Sequence, residues 1–418
     1  MRNYSASRES NGIIPPQVSP DPGSTANSIS SEPAFQRSGS SLLRSRMPEL
    51  DTIRGIAVLL VLFFHGFGFR YGLQGLSGLP KLLVAATLTG WAGVNLFFVL
   101  SGFLITGILL DTKPRTDYFR RFYTRRALRI LPLYYAVLLL LLVLARTGLV
   151  SRHASWAFLG LSFFYLSNVT NLFGVTGQYG VLWSLAVEEH FYLLWPALVR
   201  SLSRYRVLIA GTAISVLCPG LRALYYLLGY NSGAAYTWLV ADGLGMGAVL
   251  AAAVRGPMAT RTHMRRVTWI VFAASLTMFA VGYPFGIFRS SGLVSATLRQ
   301  TALNLFCTGT IAFALLVGTS RWKAVVNRPA LQFFGEISYG VYLIHMLIFD
   351  LEDHFVSTLF PGLLPVGGHF GAMVLFFVIA AAFTIALAYF SRWYFEEPFL
   401  RLKDRIEGRG HGADSRRE

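Results

Sequence analysis

Residues 54–66 read RGIAVLLVLFFHG. One arginine and one histidine bracket ten apolar residues. Eleven steps at about 100° per residue return Arg54 and His65 to nearly the same helix face. A rise of 1.5 Å per residue separates them by about 16 Å. A segment apolar all round is either buried or a membrane span, so the fold depends on whether such runs recur. They do, at lengths of roughly 17–25 residues, enough to cross a bilayer. Hydrophobic residues make up 54% of the 418-residue chain and charged residues 14%, against about 25% charged in soluble domains. The chain therefore reads as an all-α polytopic integral membrane protein.

Ten spans are expected, near 51–70, 84–110, 130–148, 181–199, 206–222, 236–254, 267–285, 299–318, 331–350 and 370–391. With both termini inside, 30 Lys and Arg fall on the inner side. Seven fall on the outer side: Arg70, Lys81, Arg146, Arg152, Arg222, Arg289 and Arg299. This split follows the positive-inside rule. It also accounts for the net charge of +17 without a nucleic-acid partner. The apolar segment 156–173 (WAFLGLSFFYLSNVTNLF) would upset that polarity as an eleventh span. It is expected to be re-entrant or interfacial, at membrane depth only where protein covers it.

Residues 1–48 are rich in Ser, Pro, Asn and Gly and resemble a disordered cytoplasmic tail, with no signal peptide in them. A transmembrane domain is expected over 49–400 and a second disordered cytoplasmic tail over 401–418. The two cysteines, Cys218 and Cys307, lie inside expected spans and imply neither a disulfide framework nor a metal site. No metal is expected.

Ionisable groups within spans are costly and mark function. The fourth span carries WSLAVEEHFYLLWP (183–196), which puts Glu188, Glu189 and His190 in one turn, with Glu188 about 10 Å below the outer surface. His65 lies at a similar depth. Asp242 in ADGLGMG, His345 in SYGVYLIH and Asn95 in the second span add polar groups on separate helices. Each alone could be an interhelical hydrogen bond; together they describe a buried polar site nearer the outer face. On the inner side, RRFYTRRALRILP (120–132) holds five arginines. Arg126 and Arg129 share a helix face, and arginine forks bind phosphate bidentately. The same loop also serves as a topogenic, lipid-facing basic patch.

These motifs carry a resemblance. ELDTIRGIAVLLVLFFHG, GVNLFFVLSGFLITGILL, RRALRILPLYY and YGVLWSLAVEEHFYLLWP resemble membrane-bound acyltransferase family 3, bacterial polytopic O-acyltransferases. ADGLGMGAVLA, EISYGVYLIHM and YFEEPF match more weakly. The family's WSLxxExxFY pattern places its principal acid at Glu188, and its arginine–xx–arginine pattern falls on Arg126 and Arg129. Asn95 stands where many relatives have aspartate. The extracytoplasmic hydrolase-like domain that some members append is not expected.

The resemblance implies transfer of an acyl group, acetyl by default, from cytoplasmic acyl-CoA to a hydroxyl of an extracytoplasmic sugar or glycoconjugate. It implies the bacterial inner membrane as the location. Acyl-CoA and a carbohydrate acceptor are then the partners, within membrane lipid. Arg126, Arg129 and Arg54 would hold the CoA phosphates, and His65 would be the general base. Glu188 would orient the imidazole or bind the sugar. Tyr192, Asn95, Ser338 or Tyr339 would stabilise the oxyanion, and Asp242 and His345 would contact the acceptor. The competing expectation is a transporter or flippase of a lipid-linked sugar, using the intramembrane His, Glu and Asp as a proton relay. No repeat of the kind common in transporters is visible. The acceptor, the oligomeric state and the choice between acyl-enzyme and direct transfer stay open.

Overall fold

The structure is a computed structural model that describes residues 42–44, 46–149, 155–175, 179–230, 235–289, 291–318, 320–360 and 369–406. Among the described residues there are sixteen α-helices and no strand. They are α1 (Pro48–Phe63), α2 (Gly78–Thr87), α3 (Ala92–Thr112), α4 (Tyr118–Arg146), α5 (Trp156–Phe163), α6 (Leu182–Ser201), α7 (Arg204–Leu227) and α8 (Thr237–Val240). There follow α9 (Asp242–Ala253), α10 (Arg261–Gly282), α11 (Leu293–Gly318), α12 (Lys323–Val326), α13 (Pro329–Glu336), α14 (Ser338–Leu359), α15 (Phe370–Phe390) and α16 (Glu397–Ile406).

Seven of the helical segments are long and apolar enough to cross a membrane, and the pair α13–α14, bent by 71°, makes an eighth. The chain is thus an all-α polytopic membrane protein. The two other expected spans are also helical. Glu188, Glu189 and His190 lower the hydropathy of α6, and α9 is only 12 residues long. The expected re-entrant segment divides into α5 and a 3-10 turn at Thr170–Phe173. At 8 and 4 residues, neither can span about 30 Å. The expected N-terminal tail is described only from residue 42, where Leu42 is buried and Arg44 pairs with Glu49. α16 continues to Ile406, past the expected start of the C-terminal tail at Arg401; residues 1–41 and 407–418 lie outside the described residues.

The helix containing α3 sits centrally: 72% of its most apolar window is buried, against 17% for α10 and 22% for α7. The outer helices turn residues such as Leu217, Ile270 and Phe383 outward, as lipid-facing surfaces require. α3 packs closely on α9 because glycines meet there. A Cβ on Gly102 would lie 2.1 Å from Leu244 O, and one on Gly247 would lie 2.0 Å from Val99 O. Small residues allow this approach where lipid supplies no hydrophobic drive between helices. α1 packs against α3, α13 and α14. Its last turn opens into a π-helix, Phe64–Phe69, which carries His65. Such turns are rare and concentrate at functional sites.

Candidate active site

Two cavities lie along the central helices, and both are lined by Val94 and Tyr342. The first, of about 190 Å³, lies among α1, α3, α4, α6 and α14. Arg54 enters it from α1, and Arg126 and Arg129 from successive turns of α4. The three guanidinium groups are close enough to repel one another. Arg54 also pairs with Asp51. Glu188 is the one acid in the lining. It accepts a hydrogen bond from Tyr192 Oη at 2.7 Å. Tyr192 in turn takes the hydroxyl proton of Ser101, since its own is committed to Glu188. The Arg126 guanidinium stands 4.9 Å over the Tyr192 ring. The remaining wall is largely apolar, with Phe97, Phe98, Leu100, Leu104 and Leu185. The result is a cationic mouth on an apolar slot.

Ser184, Glu188 and Tyr192 recur every four residues and so share one face of α6. Ser184 stands where the two cavities meet. Its hydroxyl donates to Val181 O at 3.2 Å, so its oxygen accepts from Tyr342 Oη.

The second cavity, of about 550 Å³, holds His65. His65 Nδ1 lies 3.0 Å from Val61 O and 3.1 Å from His345 Nε2. His345 Nδ1 lies 3.0 Å from Val341 O. A carbonyl only accepts, so with both rings neutral each Nδ1 carries the proton. His65 Nδ1–H is then shared between Val61 O and His345 Nε2, and His65 Nε2 keeps its lone pair. A neutral imidazole with a fixed tautomer and an open nitrogen is the form a general base needs. The other lining residues include Trp91, Asn95, Asn168, Trp183, Arg222 and Arg299.

The expected site residues therefore divide. Arg54, Arg126, Arg129, Glu188, Tyr192, Ser338 and Tyr339 line the arginine cavity, and His65 and Asn95 line the histidine cavity. Glu188 does not orient His65. It faces the arginines, and His345 holds the imidazole instead. Sequence gives the depth of a residue along a helix but not which neighbour its face meets. His345 is fully buried behind His65 and lines neither cavity. Asp242 likewise lines neither. It is buried in an ion pair with Arg222 at 3.0 Å, and Thr301 Oγ1 donates to the same carboxylate oxygen at 3.0 Å. Ser338 and Tyr339 donate to Gly335 O and Ile130 O, each at 2.8 Å, and lie on the arginine side. Asn95 Nδ2 donates to Asn304 Oδ1 at 2.7 Å.

Sequence reasoning missed Tyr342, Asn168 and Trp183 altogether, and it used Arg222 and Arg299 only to set polarity. An arginine within an apolar run, as at Arg222, was the available signal. Tyr342 offered none, because an aromatic within a span reads as packing. Among the described residues, no group of three His, Cys, Asp or Glu side chains is placed to hold a metal ion.

Residues 47–393 match the family described as an acyltransferase domain, of the acyltransferase 3 type. The chain is similar to the Staphylococcus aureus strain MSSA476 protein named "Putative O-acetyltransferase SAS0844", with 27% identity over 379 residues, 84% of this chain and 57% of that one. It is also similar to the peptidoglycan O-acetyltransferase OatA of Listeria monocytogenes, with 32% identity over 169 residues, 37% of this chain and 24% of that one. The chain thus spans little more than half the length of the Staphylococcus relative. No solved structure matches it.

Proposed function

Since the chain belongs to acyltransferase family 3, we propose that it transfers an acetyl group from acetyl-CoA, held in the arginine cavity, to a glycan hydroxyl held in the histidine cavity. The carrying observation is that a cationic, apolar-walled cavity and a cavity containing a base-competent histidine meet at Val94 and Tyr342. In this reading Arg54, Arg126 and Arg129 bind the donor's phosphates through charge-assisted, bidentate contacts. The apolar slot between them and Tyr342 takes the thin arm that carries the thioester. Glu188, tied to Tyr192 and through it to Ser101, keeps the arginines from repelling each other into disorder.

His65 Nε2 takes the proton of the acceptor hydroxyl as that oxygen attacks the thioester carbonyl. The carbon–sulfur bond breaks, and the CoA thiolate leaves and takes up a proton. His345 accepts from His65 Nδ1–H throughout, so the imidazole keeps its tautomer and the imidazolium formed in the step is stabilised. The thirty-to-seven split of basic residues supports a cytoplasmic arginine cavity and an acceptor on the opposite side of a bacterial inner membrane. The similarity to a peptidoglycan O-acetyltransferase of Listeria supports an envelope glycan as acceptor.

The test is acetyl-CoA turnover by the purified chain with a glycan acceptor. His65→Ala should lower the rate at least about 100-fold, as general-base loss does, while acetyl-CoA still binds. Turnover unaffected by His65→Ala refutes the base. Vesicle uptake of a lipid-linked sugar without acetyl-CoA would make the protein a transporter.

A further inference from the structure

We propose that the glycan taken in the histidine cavity is anionic and that Arg299 holds its carboxylate or phosphate; this rests on the acceptor reading above. Among the described residues, no Asp or Glu lines this cavity. Two arginines do line it, and they differ. Arg222 is only 2% exposed and is consumed by the protein. It pairs with Asp242, and it donates to Ala296 O at 3.0 Å, Thr297 O at 3.2 Å, Thr301 Oγ1 at 2.5 Å and Leu239 O. That pair adds no net charge.

Arg299 is half-buried and has no carboxylate within ion-pair distance among the described residues. It donates through one Nη1 to Arg289 O at 3.2 Å, and its guanidinium stands 5.6 Å over the Trp91 ring. Most of its fork is left for a ligand. A guanidinium fork with open donors matches a planar carboxylate or a phosphate. An uncompensated charge in a concave site raises the local concentration of the opposite charge.

A second feature points to a polyhydroxyl ligand. Asn168 lines the same cavity and is 6% exposed, and its Nδ2 donates to Thr237 Oγ1 at 3.0 Å. Its Oδ1 is buried with no partner. A buried acceptor without a donor is costly, and a sugar hydroxyl would supply one. Trp91 and Trp183 give aromatic faces on which a sugar ring can lie. Amide, indole and one free cation together describe a site for an acidic sugar and not for a neutral one.

The experiment uses the full chain in lipid nanodiscs and measures binding of three probes: methyl glucuronide, its carboxyl methyl ester and glucose 6-phosphate. At low ionic strength at least one anionic sugar should bind about tenfold or more tighter than the ester, the scale of one charge-assisted contact. Added salt should shrink the difference. R299Q should reduce it to less than about twofold at an unchanged melting temperature, and R299K should fall between. Which anion gains most tells carboxylate from phosphate. Equal affinities for acid and ester, or no binding of any probe, overturns the proposal. A preference kept in R299Q overturns the role of Arg299. Acetyl transfer to the same sugars is followed in parallel. A retained acid preference without transfer would sink the acetyltransferase reading alone, and transfer without the preference would sink this inference alone.

Discussion

The arginine cavity and the histidine cavity share two residues and little else. The first gathers three like charges onto an apolar slot and offers one acid, already hydrogen-bonded. The second is larger, lined by amides, indoles and hydroxyls, and holds an imidazole whose tautomer is fixed by the Val61 carbonyl and which packs on a second imidazole. One suits a ligand with a charged head and a thin arm. The other suits a ligand with many hydroxyls. In the proposed reading, binding of donor and activation of acceptor are assigned to two cavities, about 16 Å apart along the first helix. A variant in one cavity should then leave the other's task intact.

His65→Ala gives the largest separation. Transfer should fall about 10²–10⁴-fold, the range for loss of a general base. The dissociation constant of acetyl-CoA, measured by calorimetry on the same preparation, should stay within about twofold, since no donor contact is lost. A parallel loss of donor affinity would mean the cavities are one site. Arg129→Ala should do the reverse. Loss of a charge-assisted phosphate contact worth about 1.5–3 kcal/mol weakens acetyl-CoA binding about 10- to 100-fold, with the acceptor's KM little changed. Normal donor affinity in this variant would return the α4 arginines to a topogenic role.

Gly102→Val tests the shared scaffold. The added side chain meets the backbone of α9 at Leu244 O, and overpacking of this kind costs about 1–3 kcal/mol. Thermal unfolding in detergent should move down, and both cavities should lose function together. Loss in one alone would show that α3 positions only that one. Tyr342→Phe should have the smallest effect. It removes the hydroxyl that donates to Ser184, worth about 0.5–1.5 kcal/mol. Transfer should slow a few-fold with both affinities kept; a hundredfold loss in a rate assay would make Tyr342 a reacting group.

The fold class was legible because hydropathy sums over many residues, so single polar groups do not mask a span. The bend at Ile337 was not, because Gly335 just before it reads equally well as a close-packing position, and a Cβ there would lie 2.1 Å from Asp51 O of α1. His65 was legible as an ionisable group in an apolar run. Its partner was not, since His345 is 280 positions away and depth alone does not fix azimuth. Asp242 and Arg222 show the same limit. Asp242 reads as a functional charge and Arg222 as a polarity marker, and only the meeting of α7 with α9 turns them into a pair. Arg299 reads as a polarity marker until the cavity it lines is seen to hold no acid among the described residues.

The central claim is that donor and acceptor enter from opposite ends and meet at Tyr342. The most direct measurement places the chain in sealed vesicles of one orientation, with acetyl-CoA on the side of the Arg126 loop and the glycan acceptor on the other. Acetylated glycan should then form only in the acceptor compartment while free CoA stays in the donor compartment. Transfer that requires both substrates on one side would contradict the account.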